Sequence, residues 1–532
     1  MTALTVPIIV CAVVIVACVV CNRISDRLGL PTLLAFILLG MFFGSDGLVR
    51  ISFDNYSFAE QICSVALIFI MFYGGFGTNA AEAKPVFSKA ALLSSFGTAI
   101  TAALVGAFCF FILKIGLYES MLIGAVISST DAASVFSILR SKRLNLRGGT
   151  ASLLEVESGS NDPFSYMLTF AVLSLMHGSM GAGGLASMLA LQIILGVLFG
   201  IGIAILALEF LKQFSFKTAG FDAIFIVAAA LLAYALPTLF GGNGYLSAYI
   251  TGIILGNSRF SNKQSLVHFF DGVTGLMQML LFFLLGLLSF PSQLPQIALT
   301  ALSIALFLTF VARPAAVFAI LAPFKSAVNQ MTFVSFAGMR GAASIVFAIM
   351  TVVDPAVLDN DIFHIIFFIV LFSILIQGSL LAPAAKLLNM TDERADVMKT
   401  FTDYTDEVPV QFIRFTVSPT HRWVGRKIRE ITLPPECILV QLIRGGERHV
   451  PNGGTRLEAG DTLILSGKAA RDSDTVHLCE KTVTRSDPYI NRRISEFPSE
   501  SKLIIMIRRG NGIIIPKGST VLREGDILVI NE

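Results

Sequence analysis

The sequence predicts an all-α polytopic membrane domain of about thirteen transmembrane helices followed by a small α+β cytoplasmic tail. Three observations carry this. The 532 residues are 55% hydrophobic and only 14% charged, with 44 Phe, and the mean hydropathy is +0.76. Apolar stretches near the roughly 20 residues that a bilayer requires recur through the first 390 residues and then stop. Charge is divided unevenly: residues 1–390 hold 18 Lys+Arg and 16 Asp+Glu, whereas the remaining 142 hold 21 and 20. The expected organisation is a transmembrane domain over 1–390, a linker over 391–402 and a soluble tail from 403.

The first apolar stretch, from Thr5 to Cys21, has no basic residue before it. It therefore reads as a span and not as a secretory signal peptide. In order, the predicted spans are 4–21, 31–44, 60–77, 90–113, 120–139, 151–176, 185–211, 221–239, 244–256, 267–289, 296–322, 330–351 and 361–386. Loops after odd-numbered spans contain 13 Lys or Arg, from Arg23 and Arg27 to Lys325. Loops after even-numbered spans contain only Arg50 and Lys114, and the last of them carries Asp354, Asp359 and Asp361. The positive-inside rule then places the odd-side loops and the tail in the cytoplasm and the N-terminus outside.

Composition also excludes classes. Basic residues are scattered through loops at a net charge of +3, so there is no stripe for nucleic acid. The seven cysteines lie mostly in apolar segments and make no disulfide framework, and Cys18 and Cys21 read as packing residues. His177, His268 and His364 fall near span ends and read as solvated, as Glu209 and Asp222 read as interfacial.

A charged side chain at the bilayer centre costs about 2.5–3.5 kcal/mol on insertion scales, so such residues face a partner, a cavity or a pathway. Four places survive this filter. The fifth span contains ISSTDAASVF, with Thr130 and Asp131, and the sixth contains ESGSNDP, residues 157–163. The twelfth contains FAGMRGAASIVF with Arg340, and the eleventh contains FVARPAAVF with Arg313. SSTDAAS is rich in groups that compete for backbone hydrogen bonds, which predicts an interrupted helix of the kind found in transporters built from inverted repeats with broken helices. In ESGSNDP, Pro163 suits a first helical turn, which predicts Asn161 or Asp162 near the cap and a less regular stretch before it.

A carboxylate in a partly dry cavity can hold either a proton or a desolvated alkali cation, because burial penalises the bare charge and lets protons compete. Alkali cations take oxygen ligands, which Asp162, Ser158, Thr130 and nearby carbonyls can supply. The structural alternative is that Asp131, Glu157, Asp162 and Arg340 simply neutralise one another as buried pairs. A Glu157–Arg340 pair fits that alternative as well as it fits function, and Arg313 is explained equally by packing, snorkelling or a role in the site.

STDAAS, ESGSNDP and GMRGAAS on thirteen spans together resemble the NhaP-type monovalent cation:proton antiporters over the whole membrane domain. The resemblance implies that Asp162 carries cation and proton, with the alkali cation held at Asp162. It gives Asn161 as its partner, Thr130, Asp131 and Ser158 as polar ligands, and Glu157 with Arg340 as a structural ion pair. An Asn-Asp pair resembles the electroneutral, one-for-one exchangers. Many members have Pro after the Thr-Asp, where this chain has Ala132. That spelling, with the long tail, is similar to the cell-volume-regulation branch called CvrA, which implies potassium/proton exchange and a part in pH homeostasis. No cofactor is implied, since potassium or sodium and protons are the transported species.

The tail repeats itself. GRKIREI at 425–431 matches NRRISEF at 491–497, and ILVQLIRGGERHVPNGGTRLEAGDTLILSG at 438–467 matches KLIIMIRRGNGIIIPKGSTVLREGDILVIN at 502–531. The first copy, 403–484, resembles the RCK-C (TrkA-C) regulatory module. The second, 485–532, is a shorter likeness of it. The resemblance implies a homodimer and a small regulatory ligand. No G-x-G-x-x-G follows a strand here, which argues against a nucleotide-binding partner domain.

The expectation is therefore a potassium/proton antiporter, not an enzyme, in the cytoplasmic membrane. Sodium/proton exchange is the alternative. An RCK-gated channel would need a carbonyl filter, and GGNGY at 241–245 is a poor match to one. A sensor without flux would not need charged pairs at mid-membrane.

Overall fold

The computed structural model describes residues 2–28, 31–142, 144–178, 181–214, 220–258, 260, 263–356, 358–392, 410–433, 437–445, 447–468, 478–483, 487, 489–496, 504–509, 512–514 and 516–531. It divides into two units, Met1–Thr405 and Asp406–Glu532.

The first unit is helical. It opens with α1 (Thr2–Leu28), α2 (Thr32–Phe43) and α3 (Tyr56–Gly77), then a short α4 (Ala80–Ala83). α5 (Phe87–Leu92) runs through a π-helical turn at Leu93–Gly97 into α6 (Thr98–Phe111). α7 (Leu117–Ile127) and α8 (Ala132–Ser141) are halves of one stretch, broken at residues 128–131. α9 (Thr150–Met176), α10 (Ala182–Gln213), α11 (Phe221–Leu239), α12 (Gly244–Gly256) and α13 (Lys263–Leu288) follow. α14 (Leu294–Phe307) passes through a second π turn, Leu308–Ala312, into α15 (Arg313–Leu321). α16 (Val328–Phe336) and α17 (Ala342–Val353) are again two halves, broken at residues 337–341. α18 (Ile362–Phe372) passes through a third π turn, Ser373–Gln377, into α19 (Gly378–Leu387).

Each of the thirteen stretches read from the sequence overlies one of these helices or helix pairs. Among the described residues, eight helical stretches are long and apolar enough to cross a membrane, and four shorter apolar helices accompany them. In lipid every backbone polar group has to be satisfied internally, so a break at mid-membrane survives only where protein surrounds it. Both breaks here are enclosed. The break at 337–341 has no signal in the sequence, because FAGMRGAASIVF is apolar on average and looks like one continuous span.

Aromatic side chains fasten the helices beside these breaks. Phe72, Tyr73 and Phe76 of α3 pack on Phe270 of α13, with ring centroids 5.3 to 6.5 Å apart. Tyr166 of α9 meets Tyr245 of α12 edge to face at 5.2 Å.

The second unit contains two sheets of the same design. β1 (Val410–Thr416), β2 (Ile438–Arg444), β3 (Glu447–His449) and β4 (Thr462–Lys468) form an antiparallel sheet in the order β1-β4-β2-β3. β5 (Leu478–Thr482), β6 (Ile504–Arg509), β7 (Gly512–Ile514) and β8 (Ile527–Asn531) repeat it in the order β5-β8-β6-β7. The likeness extends to detail. Each has a 3-10 turn, Ile428–Glu430 or Ile494–Glu496, and a register shift in the second strand, at Leu439/Gln441 or Ile504/Met506.

One arginine in each copy grips the aspartate of the Gly-Asp pair. Arg444 reaches Asp461 twice at 2.7 Å and the Arg456 carbonyl at 2.8 Å, and Arg509 does the same to Asp526 and the Val521 carbonyl. The second copy is the shorter, as expected, running over 478–531 against 410–468. One expectation is corrected here: its first strand, β5, lies before the boundary expected at 484/485. An edge strand well separated in sequence from its sheet carries no signal in the hairpin pattern that revealed the repeat.

Candidate functional site

The geometry starts at the first break. After α7 the chain runs through Ser128, Ser129, Thr130 and Asp131 before α8 begins. The Asp131 carboxylate caps α8, accepting from the Ser134 amide at 3.2 Å and the Ser134 hydroxyl at 2.5 Å. This is the ordinary reason for an acid at a helix start, since it satisfies an orphan N–H and suits the helix dipole.

α9 lies against this break, and here the structure corrects the reading of ESGSNDP. The motif does not precede a helix but sits in the middle of one, which begins at Thr150 behind Gly149 and continues through Pro163. Proline in a helix interior removes one donor and leaves the carbonyl four residues back without it. Neighbours brace the site: Asn243 donates to the Pro163 carbonyl at 2.9 Å.

Because the motif is helical, its side chains divide by face. Ser158 stitches the break, accepting from the Ala132 amide and donating to the Thr130 carbonyl, both at 2.7 Å. Asn161 donates to the Thr130 hydroxyl at 2.6 Å, and Asp162 accepts from the Ser129 hydroxyl. One turn further on, Ser165 donates to the Ala125 carbonyl at 2.7 Å.

The second break supplies the counter-charge. The Asp131 amide donates to the Met339 carbonyl at 2.8 Å, so the two broken stretches touch at their interruptions. Arg340 then places Nη1 on the carbonyls of Ser128 and Ser129, at 2.8 and 2.6 Å, where α7 ends. A fixed cation there complements the negative end of the helix dipole. The Arg340 amide donates to the Ser373 hydroxyl at 2.9 Å, and Ser373 in turn bonds Gln377 within the third π turn. The two glycines of GMRG permit this closeness: a Cβ on Gly341 would strike the Asp131 carboxylate, and one on Gly338 would meet Arg313 Nε at 2.7 Å.

The expected Glu157–Arg340 pair is therefore corrected. Glu157 is held by Arg313, whose Nη2 lies 2.7 and 2.8 Å from its two carboxylate oxygens, and both side chains are almost wholly buried. Arg313 stands directly after the π turn Leu308–Ala312 and before Pro314, whose missing N–H favours such a widened turn. Arg340 is occupied instead by backbone carbonyls. Among the described residues, its Nε and Nη2 and the Asn161 Oδ1 have no hydrogen-bond partner.

A cavity of about 450 Å³ opens beside this cluster, between α8 and α9 on one side and α3 and α13 on the other. Asp131, Ser158 and Asp162 line it, together with Glu155. Thr130, Asn161, Glu157, Arg313 and Arg340 do not; they stand behind the wall and fix its shape. Of the five expected ligands, three thus reach open space and two brace them. Sequence reading also passed over Ser129, Ser373 and Gln377, although Ser129 sits in the quoted motif as a hydroxyl beside Thr130.

Of the histidines, His268 is exposed and His177 pairs with Asp354 at 2.8 Å near the end of α9. His364 departs from the expectation of a solvated residue. It is buried, bonded through Nδ1 to Asp361 at 2.6 Å, and its Nε2 accepts from the Phe290 amide at 3.1 Å.

Chemically, the arrangement is a carboxylate with adjacent hydroxyl oxygens facing a cavity, backed by a neutralised Glu–Arg pair and an arginine that fixes the backbone. It can bind one hard cation or one proton at Asp162.

The chain is similar to known proteins in sequence and in fold. The family described as the transmembrane sodium/hydrogen exchanger matches residues 12–387, and the TrkA-C domain matches twice, over 412–471 and 480–530. The K(+)/H(+) antiporter NhaP2 of Shewanella sp. (strain MR-4) is 33% identical over 457 residues, covering 85% of this chain and 79% of the relative. The K(+)/H(+) antiporter NhaP of Alkalimonas amylolytica is 32% identical over 496 residues, covering 92% and 86%. The Na(+)/H(+) antiporter NhaH of Halobacillus aidingensis is 26% identical over 394 residues, covering 69% and 94%. In fold, the chain is similar to the sodium proton antiporter MjNhaP1 from Methanocaldococcus jannaschii, with a TM-score of 0.64 at 23% identity, covering 72% of this chain and 99% of that one.

Proposed function

Because the chain belongs to the sodium/hydrogen exchanger family, whose members are secondary transporters and not enzymes, we propose that it exchanges potassium for protons across the cytoplasmic membrane with Asp162 as the carrier. The observation that carries this reading is the division of labour on α9. Glu157 is spent on Arg313, whereas Asp162 lines the cavity and accepts a serine hydroxyl. A carboxylate so placed loses most of its hydration, and a proton or a cation can each restore neutrality. The two compete for one site, so the loaded carrier is neutral in either form. Asn161 beside Asp162 keeps the pair to a single charge, which supports one-for-one exchange.

Ser158, Asp131 and the carbonyls near Thr130 complete the oxygen set around a cation at Asp162. Potassium as the cation is supported by the relatives named K(+)/H(+) antiporters, which cover most of the chain at 32–33% identity. Sodium is the alternative, supported by a relative at 26%. Residues 1–390 carry exchange. The two TrkA-C modules regulate it from the cytoplasm, where they respond to a small ligand and join two copies as a homodimer. The N-terminus lies outside, as the loop charges imply. Such exchange would serve cell volume and pH homeostasis.

The test is proton movement in everted vesicles or proteoliposomes on addition of potassium or sodium separately. Wild type is expected to respond to potassium, and Asp162→Asn to neither ion. Wild-type rates in Asp162→Asn overturn the carrier assignment. Removing residues 403–532 is expected to leave exchange but shift its pH or ligand dependence.

A further inference from the structure

The far wall of the cavity carries a pattern that the carrier assignment does not use. On α9 the cavity is lined by Glu155, Ser158, Gly159 and Asp162, at positions i, i+3, i+4 and i+7. On α13 it is lined by Asp271, Thr274, Gly275 and Gln278, with the same spacing and nearly the same chemistry. Each stripe reads acid, hydroxyl, glycine, then acid or amide. A span facing only lipid or apolar neighbours has no reason to hold four such residues on one face.

Both helices present their acid nearest the end from which they start, so Glu155 and Asp271 are the outer members and Asp162 and Gln278 the deep ones. Asp271 accepts from the Tyr73 hydroxyl of α3 at 2.5 Å, and Tyr73 is stacked on Phe270. These contacts fix the carboxylate on the wall. Thr274 is the second observation. Its hydroxyl is buried and has no hydrogen-bond partner among the described residues. Thr98, Thr101 and Thr169 on other helices of this chain each donate to the carbonyl four residues back. A buried hydroxyl left without that bond beside a cavity can turn its oxygen to a ligand there.

We propose that Asp271 and Thr274 form an outer subsite that holds a partly hydrated monovalent cation before it reaches Asp162. The proposal rests on Asp162 being the carrier. Asp271 supplies charge and Thr274 an oxygen ligand, and Gln278 offers a neutral carbonyl oxygen across from the deep site without adding a second titrating group. The subsite raises the local cation concentration and leaves the exchange step itself to Asp162.

The experiment measures initial rates of potassium-driven proton movement in proteoliposomes of the full chain, as a function of potassium concentration. Asp271→Asn and Thr274→Val are each expected to raise the apparent KM for potassium about three- to tenfold with the maximal rate held within about twofold. Asp271→Glu, which keeps the charge, is expected to return KM towards wild type, and added choline chloride is expected to shrink the Asp271→Asn effect by screening. An unchanged KM in both Asp271→Asn and Thr274→Val overturns the subsite. So does loss of maximal rate in Asp271→Asn that Asp271→Glu does not rescue, because that outcome marks a structural residue. Failure of the carrier reading is seen separately, as exchange persisting in Asp162→Asn, whatever Asp271 does.

Discussion

The two interruptions meet back to back, yet they carry opposite chemistry. The first, at residues 128–131, is built from hydroxyls and an acid, and its Asp131 lines the cavity. The second, at residues 337–341, is built from glycines and an arginine, and Arg340 is buried with its guanidinium on the carbonyls of the first. The difference separates tasks. One break faces the cavity, and the other satisfies the backbone that the first leaves open.

The sharpest way to break this comparison is to remove the arginine. Arg340→Met strips two carbonyls of their donor inside the protein and leaves nearby carboxylates without its charge. It should abolish exchange and lower the stability of the purified protein by about 3–5 kcal/mol. Asp131→Asn should separate the two effects, costing about 1 kcal/mol or less, since an asparagine still caps α8, while exchange falls at least tenfold. Thermal unfolding in micelles beside vesicle transport reads both. If Asp131→Asn unfolds the protein and Arg340→Met does not, the assignment of tasks is reversed.

Next in size comes the pair behind the site. Glu157→Gln or Arg313→Met alone leaves a buried charge unpaired and should cost about 3 kcal/mol. The double variant should regain most of that, and a double-mutant cycle measures the coupling. Strict additivity would mean that the pair seen at 2.7 Å contributes nothing. Ser158→Ala is a smaller perturbation. It orphans the Ala132 amide and the Thr130 carbonyl, costs about 1–2 kcal/mol, and should weaken cation affinity severalfold.

The tail gives the mildest case, the same arginine–carboxylate chemistry where water can reach. Hydrogen bonds from Arg444 hold Asp461 below its ordinary carboxylate range, against burial, which pushes it up. Asp526 is held low in the same way by Arg509. A carboxylate depressed in the folded state adds stability that is present above its unfolded value, about 4, and is lost as pH falls through the folded value. Arg444→Met and Arg509→Met should each cost about 1–2 kcal/mol at neutral pH, adding independently, and hydrogen exchange of β4 and β8 should show the cost fading below about pH 4. A cost that grows in acid contradicts this.

Much of the site was legible before any coordinates. Insertion cost alone singled out Asp131, Asp162, Arg313 and Arg340, since each had to be answered by a partner or a cavity. Pairing was not legible. Glu157 lies far along the chain from both Arg313 and Arg340, and periodicity tells which side chains share a helix face but not which helix that face meets. The helical state of ESGSNDP was not legible either, because local rules place proline in a first turn, whereas packing against the first break and Asn243 sustains a continuous helix through Pro163. The α13 stripe escaped notice for a related reason. Asp271 and Gln278 in a long apolar run look like isolated blemishes until the cavity brings them opposite α9.

What the sequence determined by itself was the solvent of each part. Hydropathy fixes which segments seek lipid, and the repeated strands of the tail specify two like modules, because each is a local or additive property of the chain. What only the tertiary structure decided was which charges meet. That depends on the approach of breaks and π turns remote in sequence, where a shift of one side chain exchanges Arg340 for Arg313 as the partner of Glu157. It leaves Asp162, among the carboxylates of α9, at the cavity with a serine hydroxyl beside it.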